Sequence, residues 1–229
     1  MFKNFIQPGM LGDWLNLLFS VLLVVCYQFF LYWKSKKQPN YTIQAVNRIA
    51  RTAWVETVMA ENRDMLAVQT LRNSTMAATF LASTSILLIM GVLNLSGHGG
   101  DLGGTWHGLS LVQSLNKETF SIKLMFLLSD LFASFFCFSM SIRIYTHVGY
   151  MINVPLNLNH KSITPQHVAL QLNRAGKFYS LGMRAYYFIV PFIFWLFGSE
   201  LLPLSTTLLI GVLFFLDRAP KLLSEDYAE

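Results

Sequence analysis

Residues 66–92 read LAVQTLRNSTMAATFLASTSILLIMGV. Arg72 and Asn73 lead into Ser74, Thr75, Thr79, Ser83, Thr84 and Ser85, and then into a wholly apolar tail. No proline or glycine intervenes before Gly91. The tail is long enough to enter a hydrocarbon layer about 30 Å thick. In lipid no hydrophobic force draws helices together, so association rests on close packing and interhelical hydrogen bonds. Ser74, Ala78, Ala82 and Ser85 fall on one face at helical spacing, with Thr75, Thr79 and Ser83 on the next. The stretch reads as a central packing helix, buried in protein over most of its circumference. Its hydroxyl face is also a candidate polar path, with Arg72 and Asn73 at the mouth.

The rest of the chain fits a polytopic membrane protein. Of 229 residues, 54% are hydrophobic and 13% are charged, about half the charge of a soluble domain. Apolar runs of spanning length predict five crossings, at 12–33, 75–96, 121–146, 181–198 and 202–216, in one helical domain over 1–229. The last is short for a full crossing. The first run ends in Lys34-Ser35-Lys36-Lys37 and lacks a small-residue cleavage site, so it reads as an uncleaved helix. Five crossings put Lys34, Lys36, Lys37, Arg48, Arg51, Arg63 and Arg72 on one side, with Lys3 and Lys117 on the other. By the positive-inside bias the N-terminus is expected outside and the C-terminus inside. The expected location is the bacterial inner membrane, with lipid as a partner. The net charge of +5 serves orientation, and no nucleic-acid partner is implied.

Two helical extensions are expected on the inner side, at 42–73 and 165–178. In the first, Ile43, Val46, Ala50, Trp54, Val58, Met65 and Val68 form one stripe. With no proline or glycine to stop it, the stripe predicts a single helix of about 50 residues, some 75 Å at ~1.5 Å per residue. Its near pairs, Arg48/Arg51 and Glu61/Asp64, are like-charged. Trp54, Glu61 and Arg63 are therefore candidates for contact with another helix or subunit, and a homo-oligomer is expected. In the second extension Thr164 reads as an N-cap with Pro165 in the first turn, and Gly176 and Gly182 mark a bend into the membrane.

Asp130 is the sharpest single residue. It lies inside LMFLLSDLFASFFCFSMS (124–141), where an acid costs about 2.5–3.5 kcal/mol on insertion scales. Such residues mark an ion path, a proton relay or a structural pairing. Counting helix rise from the outer ends places Ser85 and Ile189 at similar depth, and Pro191 would free the carbonyl of Tyr187, so Ser83, Ser85 and Tyr187 are the polar groups expected there. These residues form a candidate polar cluster with Asp130.

Other chemistry has little support. The five histidines all lie off the membrane centre, which argues against a bis-histidine haem, and no cofactor is expected. His98, Asp101 and His107 are weak metal candidates among the glycines of 96–110. Cys26 and Cys137 sit in apolar runs with no CxxC pairing. No nucleophile elbow, phosphate loop or HExxH occurs. Arg143, Tyr145, His147, Tyr150 and Arg184 read as interfacial anchors.

LAVQTLRNSTMAATFLAS (66–83), RIYTHVGYM (143–151) and FYSLGMRAYYFIVPFIFWLFG (178–198) resemble signature blocks of a bacterial and plant membrane-protein family known as domain of unknown function 599. The resemblance implies an all-helical integral membrane fold and carries no assigned catalytic or binding residues. Three functions are compatible with the residues. The favoured one is a homo-oligomeric channel- or transporter-like assembly for small ions or protons. The alternatives are an accessory subunit of a larger membrane complex and, least supported, a membrane enzyme.

Overall fold

The computed structural model of the protein describes residues 8–38, 41–97, 117–155 and 163–219. They form six helices: α1 (Pro8–Lys37), α2 (Ile43–Ala60), α3 (Asp64–Gly97), α4 (Lys117–Met151), α5 (Pro165–Phe197) and α6 (Leu201–Asp217). Four of these, over Gly12–Lys37, Asp64–Ser96, Thr119–Met151 and Pro165–Phe197, are long and apolar enough to cross a membrane. The expected fifth span is the 17-residue α6. At about 25 Å it falls short of the core on its own. This is an all-α polytopic membrane fold. Leu18, Phe80, Leu87 and Phe215 point outward, each at least 66% exposed. In water that would be a fault; facing lipid it is what the solvent favours.

α3, α4 and α5 have 34, 35 and 33 residues, about 50 Å each, some 20 Å more than the hydrocarbon needs. The excess gathers at the end where α1 finishes in Lys34, Lys36 and Lys37. There α2 packs beside the start of α3, the end of α4 and the start of α5 around Val55, Val58, Leu71, Val148, Val168 and Leu172. The two expected extensions are neighbours in this bundle. α2 runs antiparallel to α5: Arg51 Nε donates to Asn173 Oδ1 at 2.9 Å, Asn173 Nδ2 donates to Thr52 Oγ1 at 3.1 Å, and Gln44 pairs with Ser180. Burial pushes the Arg51 guanidinium pKa below its usual value, though Arg stays charged in proteins. At the opposite end Ile89, Leu124, Leu127, Leu131 and Leu196 form a second core. α1 and α6 share a third through Tyr27, Leu31, Leu209 and Leu213.

The single helix expected from 42 through 92 is two helices. Asn62 has φ 51°, the left-handed conformation that ends helices, for which asparagine is the usual substitute for glycine. The Arg63 N–H reaches back to the Val58 carbonyl at 3.1 Å, the six-to-one bond of a Schellman turn. The turn shifts the helical phase. Val46 and Val58 stay buried as the stripe predicts and Ala50 does not; beyond the turn Met65 and Val68 emerge, and Ala67 and Leu71 take their place. Glu61 and Arg63 pair with each other across the turn, and Trp54 packs on its own chain's core. Asn62→Gly should stabilise the protein by about 0.5–1 kcal/mol and Asn62→Val should destabilise it by more, because only the first relieves the positive φ. Denaturant titration of both variants checks the sign.

Thr164 caps α5 as expected, its hydroxyl accepting from the His167 N–H at 3.2 Å, with Pro165 in the first turn. The bend expected at Gly176 and Gly182 does not divide this helix, which is continuous from Pro165 to Phe197. Both glycines instead admit a neighbour: a Cβ on Gly176 would meet Arg51 Nη1 at 2.6 Å, and one on Gly182 would meet Phe138 Cε1 at 2.8 Å. α3 buries one face through Leu71, Ala78, Ala82, Ser85 and Ile89. The expected Ala78–Ala82–Ser85 face is correct. The expected burial around most of the circumference is not: Thr79 and Ser83 are exposed, because within one chain the membrane half of α3 packs chiefly against α4.

Candidate functional site

Two ion pairs, one buried and one partly buried, frame the membrane region. Near the start of α1, Asp13 meets Lys123 of α4 at 3.0 Å, and Lys123 is 1% exposed. Lys123 Nζ also donates to the Trp195 carbonyl at 3.2 Å, and Trp195 Nε1 donates to Asp13 Oδ1 at 3.2 Å. At the basic end, Arg184 of α5 binds Asp217 at 2.8 Å and Gln28 at 3.1 Å; Tyr27 donates to the other Asp217 oxygen at 2.8 Å. Charges in a low-dielectric interior persist only when paired and hydrogen-bonded. Here they are, and each set ties α1 to the bundle.

Between these layers lies a cavity of about 260 Å³. α1 supplies Leu17, Val21, Val24 and Val25 to its wall, α5 supplies Phe188, Pro191 and Phe192, and α6 supplies Leu202. Its polar lining is Asp130, Ser20 and Thr206. Val21 and Val25 are 54% and 60% exposed, so the cavity opens sideways past α1. Asp130 sits on α4 seven residues beyond Lys123, about 10 Å deeper. Its Oδ2 is buried and has no hydrogen-bond partner among the described residues, and the same holds for Ser134 Oγ one turn on. Ser20, by contrast, donates to the Asn16 carbonyl at 2.8 Å. A buried polar atom without a partner costs about 1–3 kcal/mol. Such a carboxyl can take a proton, a small cation or a ligand's donor.

The other sequence candidates do not share this cavity's lining. Ser85 is fully buried, but its hydroxyl donates to the Leu81 carbonyl at 2.9 Å. Ser83 is exposed, and Tyr187 packs with the α1–α6 cluster of Tyr27, Leu31 and Leu209. Arg72 and Asn73 are exposed on α3. His98, Asp101 and His107 lie outside the described residues. Ser20 and Thr206 were missed, as were both ion pairs. A signal for the pairs exists: Lys123 and Arg184 lie inside apolar runs, and such residues require an acid nearby.

The chain matches the model of a family described as protein of unknown function, DUF599, over residues 15–222. It belongs to this family. The match takes in all but the first turns of α1 and the whole of the other five helices, and is consistent with an integral membrane protein. No curated protein and no solved structure matches the chain. The family supplies no catalytic or binding residues, so a functional reading rests on the geometry around Asp130.

Proposed function

We propose that the protein is a homo-oligomeric, transporter-like assembly of the bacterial inner membrane that moves protons or small cations by way of Asp130. The observation that carries the reading is the buried, unpartnered Asp130 oxygen at a cavity between two satisfied ion pairs. Among the described residues the other buried acids, Asp13 and Asp217, are already neutralised, which leaves Asp130 to bind and release a cation. The Thr75–Thr79–Ser83 face of α3, exposed at Thr79 and Ser83 and half-buried at Thr75, suits subunit contact, since small residues allow close helix approach in lipid. The concentration of lysine and arginine at one end supports an N-terminus outside and a C-terminus inside.

Asp130→Asn tests this in proteoliposomes under an imposed pH gradient. Cation or proton flux should fall at least tenfold, with the oligomer unchanged by size exclusion. Wild-type flux no greater than empty vesicles, or an Asn variant as fast as wild type, would end the reading. A second reading, an accessory subunit of a larger complex, is favoured by the apolar surface at the basic end, where Met65 is 81% and Tyr150 76% exposed. Native mass spectrometry after gentle extraction separates the two: copies of one chain support the first, while one copy bound to other polypeptides supports the second.

A further inference from the structure

The cavity beside Asp130 differs from an aqueous ion path in its walls and its opening, and we infer that it binds a hydrophobic amine entering sideways from the lipid, the ammonium held by Asp130. This rests on the reading above that Asp130 is the working group, and it adds a larger organic cation to the protons and small cations proposed there.

The mouth lies at Val21 and Val25, which line the cavity and are more than half exposed. A ligand passing them comes from hydrocarbon and must be mostly apolar. The walls agree, built from Leu17, Val24, Phe188, Phe192 and Leu202. The volume of about 260 Å³ exceeds the ~150 Å³ of an engineered apolar cavity that takes benzene, so a two-ring or phenylalkyl body fits. Charge selects the head group. The described lining contains one acid and no base, so an anion is repelled. A pure hydrocarbon leaves the Asp130 acceptor unmet. An alcohol satisfies one acceptor without neutralising the carboxylate, whereas an ammonium does both and forms the stronger, charge-assisted bond. Phe188 and Phe192 add aromatic wall of the kind that favours a cation.

The test uses the full-length protein in phosphatidylcholine nanodiscs and three probes: 1-naphthylmethylamine, 1-naphthylmethanol and 1-methylnaphthalene. Saturable binding is expected with the amine at least about tenfold tighter than the alcohol, the step a charge-assisted bond gives. Asp130→Asn should abolish the amine's advantage and leave alcohol binding within about twofold. Asp130→Glu should retain the preference for the amine. Val21→Trp, at the exposed mouth where folding is least at risk, should weaken all three probes. Equal affinity for amine and alcohol, a preference unaffected by Asp130→Asn, or no saturable binding at all would overturn the inference. Flux on the same preparations keeps the two readings apart. Asp130-dependent flux without amine binding removes this inference alone. Asp130-dependent amine binding without wild-type flux removes transport and leaves the binding site standing.

Discussion

Lys123→Met is expected to cost about 3–5 kcal/mol of stability, because removing one partner of a buried pair leaves an uncompensated charge. The residue left behind is Asp13, itself 6% exposed, with the Trp195 Nε1–H as its remaining donor. The loss is more than local. α1 shows lipid most of its side chains and otherwise packs mainly on α6, so the Asp13–Lys123 pair is what holds its first half to α4 and α5. Loosening that half also removes Leu17, Ser20 and Val21 from the cavity wall. The double variant Asp13→Leu/Lys123→Met should recover most of the stability, since replacing both partners with apolar groups is often neutral or better. Unfolding in detergent with increasing dodecyl sulfate gives the three free energies. If the two single losses simply add in the double variant, the pair is not coupled and this account of α1 is wrong.

That pair also shows where the sequence stops short: Lys123 in an apolar run calls for an acid, but not for Asp13 in particular. The apolar runs give the helices directly, because lipid demands long uninterrupted hydrophobicity. The face of α3 made by Ala78, Ala82 and Ser85 is legible for a related reason: small residues at helical spacing mean close packing. Thr164–Pro165 is legible because capping is local chemistry. What fails is whatever depends on the lateral order of helices. Asp130 stands out as an acid in an apolar run, but that Ser20 and Thr206 join it follows from α1 and α6 lying beside α4 and α5. No local pattern encodes that. Depth counting alone points to the neighbourhood of Ser85 and Ile189 instead. Asn62 escapes for a different reason, since asparagine is tolerated inside helices and only its positive φ marks the stop. Gly176 and Gly182 carry a signal that periodicity cannot interpret, because a glycine in a helix is equally consistent with a bend and with a close neighbour.

The close neighbour makes Gly182 the position where one methyl group should do most damage. A Cβ there would lie 2.8, 2.9 and 3.1 Å from Cε1, Cδ1 and Cζ of Phe138, one whole edge of the ring. The ring has little freedom to yield. It is fully buried, with Tyr179 edge-on at 5.8 Å and Tyr186 at 6.3 Å. The strain must therefore push α4 from α5, the most extensively packed helix pair in the fold. One turn further along the same seam, Ser141 Oγ donates to the Ala175 carbonyl at 3.0 Å, and that bond stretches when the helices part. Gly182→Ala should cost about 1–3 kcal/mol, the usual range for overpacking, and Gly182→Val more. Gly176→Ala should be milder despite its shorter 2.6 Å approach, because it meets the flexible end of Arg51. Gly211→Ala, with nothing within 4 Å, should be neutral or stabilise by about 0.5–1 kcal/mol through helix propensity. Melting temperatures of the three alanine variants should thus rank 211, 176, 182 from highest to lowest. Phe138→Leu should partly rescue Gly182→Ala by making room for the new methyl, while being destabilising on its own. A Gly182→Ala variant as stable as the native protein would mean that α4 and α5 do not meet at this distance, and the seam would have to be redrawn.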